Sequence, residues 1–317
     1  MFRFLSSRPG GSRARRSLNG IETAAQAKPA RPLCGAAKSA PLVTVVAVAA
    51  LFALLVVQPA GARTAQRIVS LSPTATESLF AISAGRQVIA VDDQSDYPKR
   101  APKTKLSGYT PNLEAIAAYR PDLVVLSGDA NDVVAGLRRL GIRVLLQPAA
   151  KDLPAAYAQI LQLGRITGHR SAAAAVVKRM KQRIKRAVAS APKLRLKLYH
   201  ELTPDYYSAT SSTFIGRVYK LFGLRNIADG ADASGSGYPQ LSGEYILSAD
   251  PGLIVLADTR CCGQSRATVE QRPGWSGVTA VRTRSIVAVD DSVASRWGPR
   301  IANFVTAIGN ALKRARR

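Results

Sequence analysis

Apolar runs four or five residues long recur through most of this chain, separated by stretches with helical spacing. Residues 67–71 (Arg-Ile-Val-Ser-Leu), 88–91 and 143–146 read as strands, and the unbroken apolar runs 123–126 and 253–256 read as buried parallel strands. Ser72-Pro73-Thr74 is a turn into a helix through Phe80, with Pro73 suited to a first helical turn. Residues 133–140 read as another helix, closed by Gly141. Strands alternating with helices over 67–148 predict a parallel-sheet lobe. Residues 152–190 carry no strand signal. There, 153–166 reads as one helix broken at Gly168, and Ser171 can cap a second helix running to about Ser190. Apolar positions 173, 176, 177, 180, 184, 187 and 188 keep the helical period in that second helix. At about 1.5 Å per residue it spans roughly 30 Å, enough for a rigid spine between two lobes. A strand at 194–199, a loop at 203–213, a helix from Phe214 to Gly223, a loop at 258–273, a strand at 285–289 and a helix at 299–312 predict the second lobe.

Two stretches read as copies of one another. Glu114, Ile116, Pro121, Leu123, Val125 and Leu126 recur at identical offsets as Glu244, Ile246, Pro251, Leu253, Val255 and Leu256, six matches over thirteen residues. Asn112 and Ser242 precede them as good helix N-caps, and the proline ends each short helix before a buried strand. One supersecondary unit used twice implies two α/β lobes. The expected organisation is a leader over 1–62, a first lobe over 63–150, a bridging helical segment over 151–191 and a second lobe over 192–317.

The leader has a different character. Residues 1–40 are rich in Arg, Ser, Pro and Gly, and 42–57 form an apolar run that ends in Pro59-Ala60-Gly61-Ala62. A basic leader, a short apolar run and an Ala-x-Ala ending are marks of an export signal cut after Ala62; an uncleaved anchor is the alternative, and translation could begin downstream of Met1. The leader holds eight of the basic residues and one acid, Glu22, so +18 of the +25 net charge remains on the rest. Such a surface favours anionic membranes or acidic ligands, and without a nucleic-acid motif it does not indicate nucleic-acid binding.

Catalytic chemistry finds little support. His169 and His200 are the only histidines, too few for a histidine-based metal cluster, and no nucleophile elbow, P-loop or GxGxxG is present. Neither an enzyme nor a resident metal or cofactor is expected. Cys261 and Cys262 are adjacent: a vicinal disulfide, a stiffened loop and a redox pair all fit, the last making a secreted redox protein the alternative from another class. Loops at the carboxyl ends of strands are where α/β lobes bind ligands. Here they carry Gln94, Tyr97, Tyr109, Tyr206, Tyr207, Tyr238 and Arg296, which suits a large, partly apolar ligand. Glu114 and Glu244 could each merely complement a helix dipole, but that accounts less well for a matched pair on two lobes.

These residues together resemble a known family. Ile68-Val69-Ser70-Leu71-Ser72-Pro73 with Thr76-Glu77, Ser95-Asp96-Tyr97-Pro98, Asn112-Leu113-Glu114, Arg120-Pro121-Asp122-Leu123-Val124, Tyr238-Pro239-Gln240-Leu241-Ser242, and Arg296 with Gly298-Pro299-Arg300-Ile301 look like the substrate-binding proteins of ABC importers that carry cobalamin and ferric siderophores. The resemblance covers 67–313. It implies two α/β lobes bridged by one long helix, a largely preformed ligand cleft between them, and an exported, monomeric protein that docks on an ABC permease and its ATPase. It implies that Glu114 and Glu244 dock on permease arginines, that Tyr238, Tyr109, Tyr207 and Arg296 contact ligand, and that the ligand is a corrinoid or, failing that, a ferric siderophore or haem-type chelate. Gln94 stands where an aromatic contact is expected and Ser292 where an aspartate is expected, with Asp290 and Asp291 just before it.

Overall fold

The computed structural model describes residues 63–315; the export-signal reading of the leader lies outside the described residues. Chain order is β1 (Ile68–Leu71), α1 (Pro73–Ala81), β2 (Val88–Val91), α2 (Leu113–Ala117), β3 (Leu123–Leu126), α3 (Val133–Arg139), β4 (Arg143–Leu146), α4 (Leu153–Thr167) and α5 (Arg170–Ala189). It continues with β5 (Lys197–Glu201), α6 (Phe214–Lys220), β6 (Arg225–Asn226), α7 (Gly243–Ala249), β7 (Leu253–Leu256), α8 (Thr259–Cys262), α9 (Arg266–Glu270), α10 (Thr279–Arg282), β8 (Ile286–Ala288), α11 (Asp291–Ala294) and α12 (Ile301–Ala315). The strands form two all-parallel sheets, ordered β2-β1-β3-β4 and β6-β5-β7-β8, so both lobes share one winding.

Local chemistry sets the element starts. The side chains of Ser72, Asn112, Asp152, Thr213 and Ser242 each accept a hydrogen bond from the backbone N–H three residues on, supplying a partner that the first helical turn lacks. Gly168, with φ of 81°, ends α4 in a left-handed turn that a Cβ would strain. The duplicated unit becomes α2–β3 in one lobe and α7–β7 in the other, the same position in each winding. Ile116 and Ile246 are fully buried beneath their helices. The likeness extends into the backbone: Arg120 and Asp250, at the same offset from the glutamates, have φ of 48° and 47°. Both are non-glycine residues in the left-handed region, just before the proline that disfavours continuing the helix.

An unbroken apolar core runs from one sheet to the other. It takes Ile68, Leu123 and Val125 from the first sheet, residues of α4, α5 and α12 in the middle, and Leu198, Leu253 and Val255 from the second. The long helix expected at 171–190 is α5, and it buries Ala173, Val176, Val177, Met180 and Ile184 in this core. The opposite face of each sheet has its own cluster, Tyr199 with Trp275 and Ile254 in one lobe and Val69 with Ile116 and Leu137 in the other.

Some sequence-based boundaries need correcting. The strand placed at 194–199 begins at Lys197 and runs to Glu201, so His200 lies inside it, fully buried, instead of ending it. The helix from Phe214 stops at Lys220, and after a turn over 221–224 comes the two-residue strand β6. The loop expected at 258–273 contains α8 and α9. These helices are four and five residues long, too short to show a period; Asp291 anchors the first from 30 residues away, and a local Ser265–Thr268 capping box closes the second.

Candidate functional site

Both sheets aim the carboxyl ends of their strands at one cleft. The segments that follow β1, β2 and β3 supply Ser72, Gln94, Tyr109 and Ser127, and the segment after β8 supplies Asp291, Ser292, Ser295, Arg296 and Trp297. Together they line a cavity of about 300 Å³ between the lobes. Of the candidate ligand residues, the structure brings Gln94, Tyr109 and Arg296 to this cavity. Tyr207 and Tyr238 do not line it. They sit together on the second lobe, where Tyr207 pairs with Gln240 in an isolated antiparallel bridge and Ser208 N–H donates to Pro239 O at 2.9 Å. The tyrosines present free surface: Tyr109 is 79% exposed and Tyr238 49%.

The floor of the cleft is polar and crosses between lobes. Arg296 donates to Asp96 at 2.8 Å and to the Gln94 carbonyl at 3.0 Å. Arg260 donates to the other Asp96 oxygen at 3.2 Å and to Asp290 at 3.3 Å. One carboxylate of the first lobe therefore holds two guanidiniums of the second. Partial burial would raise the Asp96 carboxyl, but the bond and charge of Arg296, reinforced by Arg260, outweigh that and hold it below the usual carboxylate range. A second clasp lies deeper. Glu77, buried in α1, accepts from the Arg300 backbone N–H and from its Nε, both at 2.8 Å, while the Arg300 guanidinium lies 4.0 Å from the Tyr97 ring centre. Trp297 completes the crossing by donating to Gln159 of α4 at 2.8 Å. The expected bridging helix is thus only one connection; residues 296–300 form another. Sequence reasoning assigned no role to Asp96, Arg260, Glu77 or Arg300. For Asp96 and Arg260 the available signal was opposite charges in loops after strands of different lobes; Glu77, inside a helix, offered none.

Cys261 and Cys262 are paired as a vicinal disulfide in exposed α8, beside Arg260. Asp291 anchors this turn, accepting from Arg260 N at 3.0 Å, Cys261 N at 2.7 Å and Thr259 Oγ1 at 3.0 Å. Desolvation would raise Asp291, but these bonds prevail and lower it. Ser292, which stands where an aspartate was expected, lines the cavity one residue on.

Below the loops of the second lobe lies a buried charge cluster. Arg272 makes a bidentate pair with Glu201, 2.6 Å on each side, and also donates to Gln264 at 2.7 Å. Its guanidinium lies 4.7 Å from the Trp275 ring centre and 5.4 Å from that of Tyr206. Asp258, at the end of β7, is fully buried, and neither carboxyl oxygen has a partner among the described residues. Burial first, then the nearby Glu201 charge, pushes it up to about 7. His200 donates to or accepts from the Tyr219 hydroxyl at 2.7 Å, and burial takes it down to about 3, so it is a neutral core histidine. Glu114 and Glu244 are exposed in the first turns of α2 and α7, and the Glu244 carboxyl is lowered by its own backbone N–H and by Ser242. Among the described residues, no group of three or more His, Cys, Asp or Glu is placed to hold a metal ion.

The family profile described as "Periplasmic binding protein" matches residues 68–293. The chain is 32% identical over 256 residues to a cobalamin-binding protein of Halobacterium salinarum, covering 78% of this chain and 69% of that one. It is 29% identical to an uncharacterised ABC transporter substrate-binding lipoprotein of Bacillus subtilis, covering 78% of this chain and 80% of that one. The crystal structure of the periplasmic vitamin B12-binding protein of Vibrio cholerae superposes with a TM-score of 0.68 at 25% identity, covering 80% of this chain and 98% of that one. Matched winding, an interlobe cleft and these likenesses agree: this chain belongs to the periplasmic binding protein family.

Proposed function

We propose that this chain is the extracytoplasmic substrate-binding protein of an ABC importer, capturing a corrinoid and handing it to the permease and its ATPase at the membrane. The observation that carries the reading is the cleft itself: a polar floor built from both lobes, Asp96 with Arg260 and Arg296, beneath exposed tyrosines. A cavity of about 300 Å³ is at the small end for ligand sites. A macrocycle therefore lies across its mouth, with Tyr109 on one wall and Tyr207 and Tyr238 on the other, while Gln94 and Arg296 meet its polar edge. The 32% identical relative named as a cobalamin binder supports the ligand class. Glu114 and Glu244, exposed at matching points of two lobes, serve as the feet that meet permease arginines. The protein works as a monomer, and its work is affinity and docking, without covalent chemistry.

Calorimetry on residues 63–317 with cobalamin, haem and several ferric siderophores tests the ligand. Micromolar or tighter binding of cobalamin is expected, and Tyr238→Ala weakens it by about tenfold, the scale of one lost ring contact. No cobalamin uptake overturns the corrinoid assignment, and tighter binding of haem or a siderophore reassigns the cleft. Glu114→Ala with Glu244→Ala should keep ligand affinity yet abolish stimulation of the permease ATPase; unchanged stimulation removes the docking role.

A further inference from the structure

The acids and bases of this protein are segregated. Between Asp152 and Glu201 there are 48 residues with no Asp or Glu and eleven Lys or Arg. Seven of these cations lie on α5, and every one of the seven is exposed. All five ion pairs among the described residues lie elsewhere, in the cleft, its clasp and the buried cluster. The basic end of α12 joins the same surface, since Arg183, Arg186 and Lys313 line one concavity with Thr306 and Asn310. The position of this face follows from the winding. Helix α4 leaves the carboxyl end of β4 and runs back to the amino end of β1, where Ala65 N–H donates to Ile166 O at 2.9 Å. Helix α5 starts there, so its cations sit on the side away from the cleft.

We propose that this face docks on an anionic phospholipid bilayer. Cations running from Arg170 to Arg186, about 24 Å of helix with six of the seven packed into residues 178–186, match a plane of negative headgroups better than a single small anion. The cationic surface continues past the start of α5: Arg143 donates to the Arg63 carbonyl at 2.7 Å, and Arg143, Arg165 and Arg170 line one concavity with Thr64, so the face is broad as well as long. Docked this way, the molecule turns its cleft away from the membrane, an orientation distinct from the one in which Glu114 and Glu244 meet a permease. That distinction alone rests on the proposed function; the lipid contact does not.

The test uses residues 63–317, which contain the whole continuous core, so that the apolar run cannot supply the binding. Co-sedimentation is measured with vesicles of phosphatidylcholine alone and of phosphatidylcholine with 30 mol% phosphatidylglycerol, about the anionic content that attracts polybasic segments. Binding to the anionic vesicles is expected to be at least tenfold tighter, and to weaken steeply between about 50 and 300 mM salt as the Debye length shrinks. Replacing Lys178, Arg179, Lys185 and Arg186 together by Gln should lower it at least tenfold. A control with the same charge loss elsewhere, Arg138, Arg139, Lys220 and Arg225 to Gln, should keep most of it. Both variants are checked for wild-type thermal unfolding; if the first does not fold, the lipid and salt dependence of the wild type decide. Equal binding to both vesicles, equal loss in the control, or capture by soluble polyphosphate without capture by vesicles would each overturn the proposal. Calorimetry with cobalamin on the first variant should be unchanged, which separates this surface from the cleft.

Discussion

Arg272→Met tests whether the second lobe depends on the charge cluster beneath its loops. The Arg272 side chain is 12% exposed and that of Glu201 0%, so solvent screens their pair little. Two further groups raise the stakes: Asp258, buried without a partner, and the Tyr206 and Trp275 rings stacked 5.9 Å apart beside the guanidinium. Methionine fills much of the volume but leaves a buried carboxylate with no counterion, a change that costs about 3–5 kcal/mol. For a unit of about 250 residues, each kcal/mol moves Tm by roughly 2–4 °C, so a fall of about 6–20 °C is expected. Calorimetric or circular-dichroism melts supply the measurement. Glu201→Gln should restore part of the deficit in the double variant, since no unpaired charge then stays buried. A deficit below about 1 kcal/mol, or one that the second substitution leaves unchanged, would refute this account of the cluster.

Asp258→Asn should change the pH dependence of stability in a defined direction. Folding lifts Asp258 from near 3.8 to about 7, so the native state keeps a proton that the unfolded chain has lost in that window. Its contribution is present in full below about pH 4 and drains away as pH rises towards 7; the amide removes that loss. In urea titrations the variant should therefore gain about 3 kcal/mol on the wild type between pH 4.5 and 7.5, and a flat difference defeats the argument. Gly216→Ala should be among the costliest methyl additions in the chain: the new Cβ would press into the Thr210 carbonyl and the Ser211 backbone at the start of α6. About 3 kcal/mol is expected, against almost nothing for Gly277→Ala, whose Cβ would meet no atom within 4 Å; similar melts for the two would contradict it.

Much of the architecture could be read from the linear chain because its signals are local or repeated. Four-residue apolar runs such as 123–126 and 253–256 became central strands, and the stripe beginning at 173 became the buried side of α5. The duplicated stretch marked two lobes, and the structure carries the likeness down to the paired positive φ of Arg120 and Asp250. The elements missed were those too short to have a period: β6, α8, α9, α10 and α11, with α9 held by a reciprocal Ser265–Thr268 cap.

The site divides in the same way. Loop position alone nominated Gln94, Tyr109 and Arg296, and the fold brings them together in one cavity. Nothing in the linear order foretold that Asp96 would hold Arg260 and Arg296, 164 and 200 residues away, or that Glu77 would clasp Arg300 at a separation of 223. Nor did it mark Asp258 and Glu201 as neighbours; they meet only because β5 and β7 are adjacent, which places both at the ends of paired strands. The sequence by itself determined where backbone could be buried, how often the winding repeats and which stretch carries unopposed positive charge, since each follows from composition over a few residues. Tertiary structure alone decided which charges are paired, because a charge seeks whichever partner the fold brings within hydrogen-bond reach and leaves no periodicity along the chain.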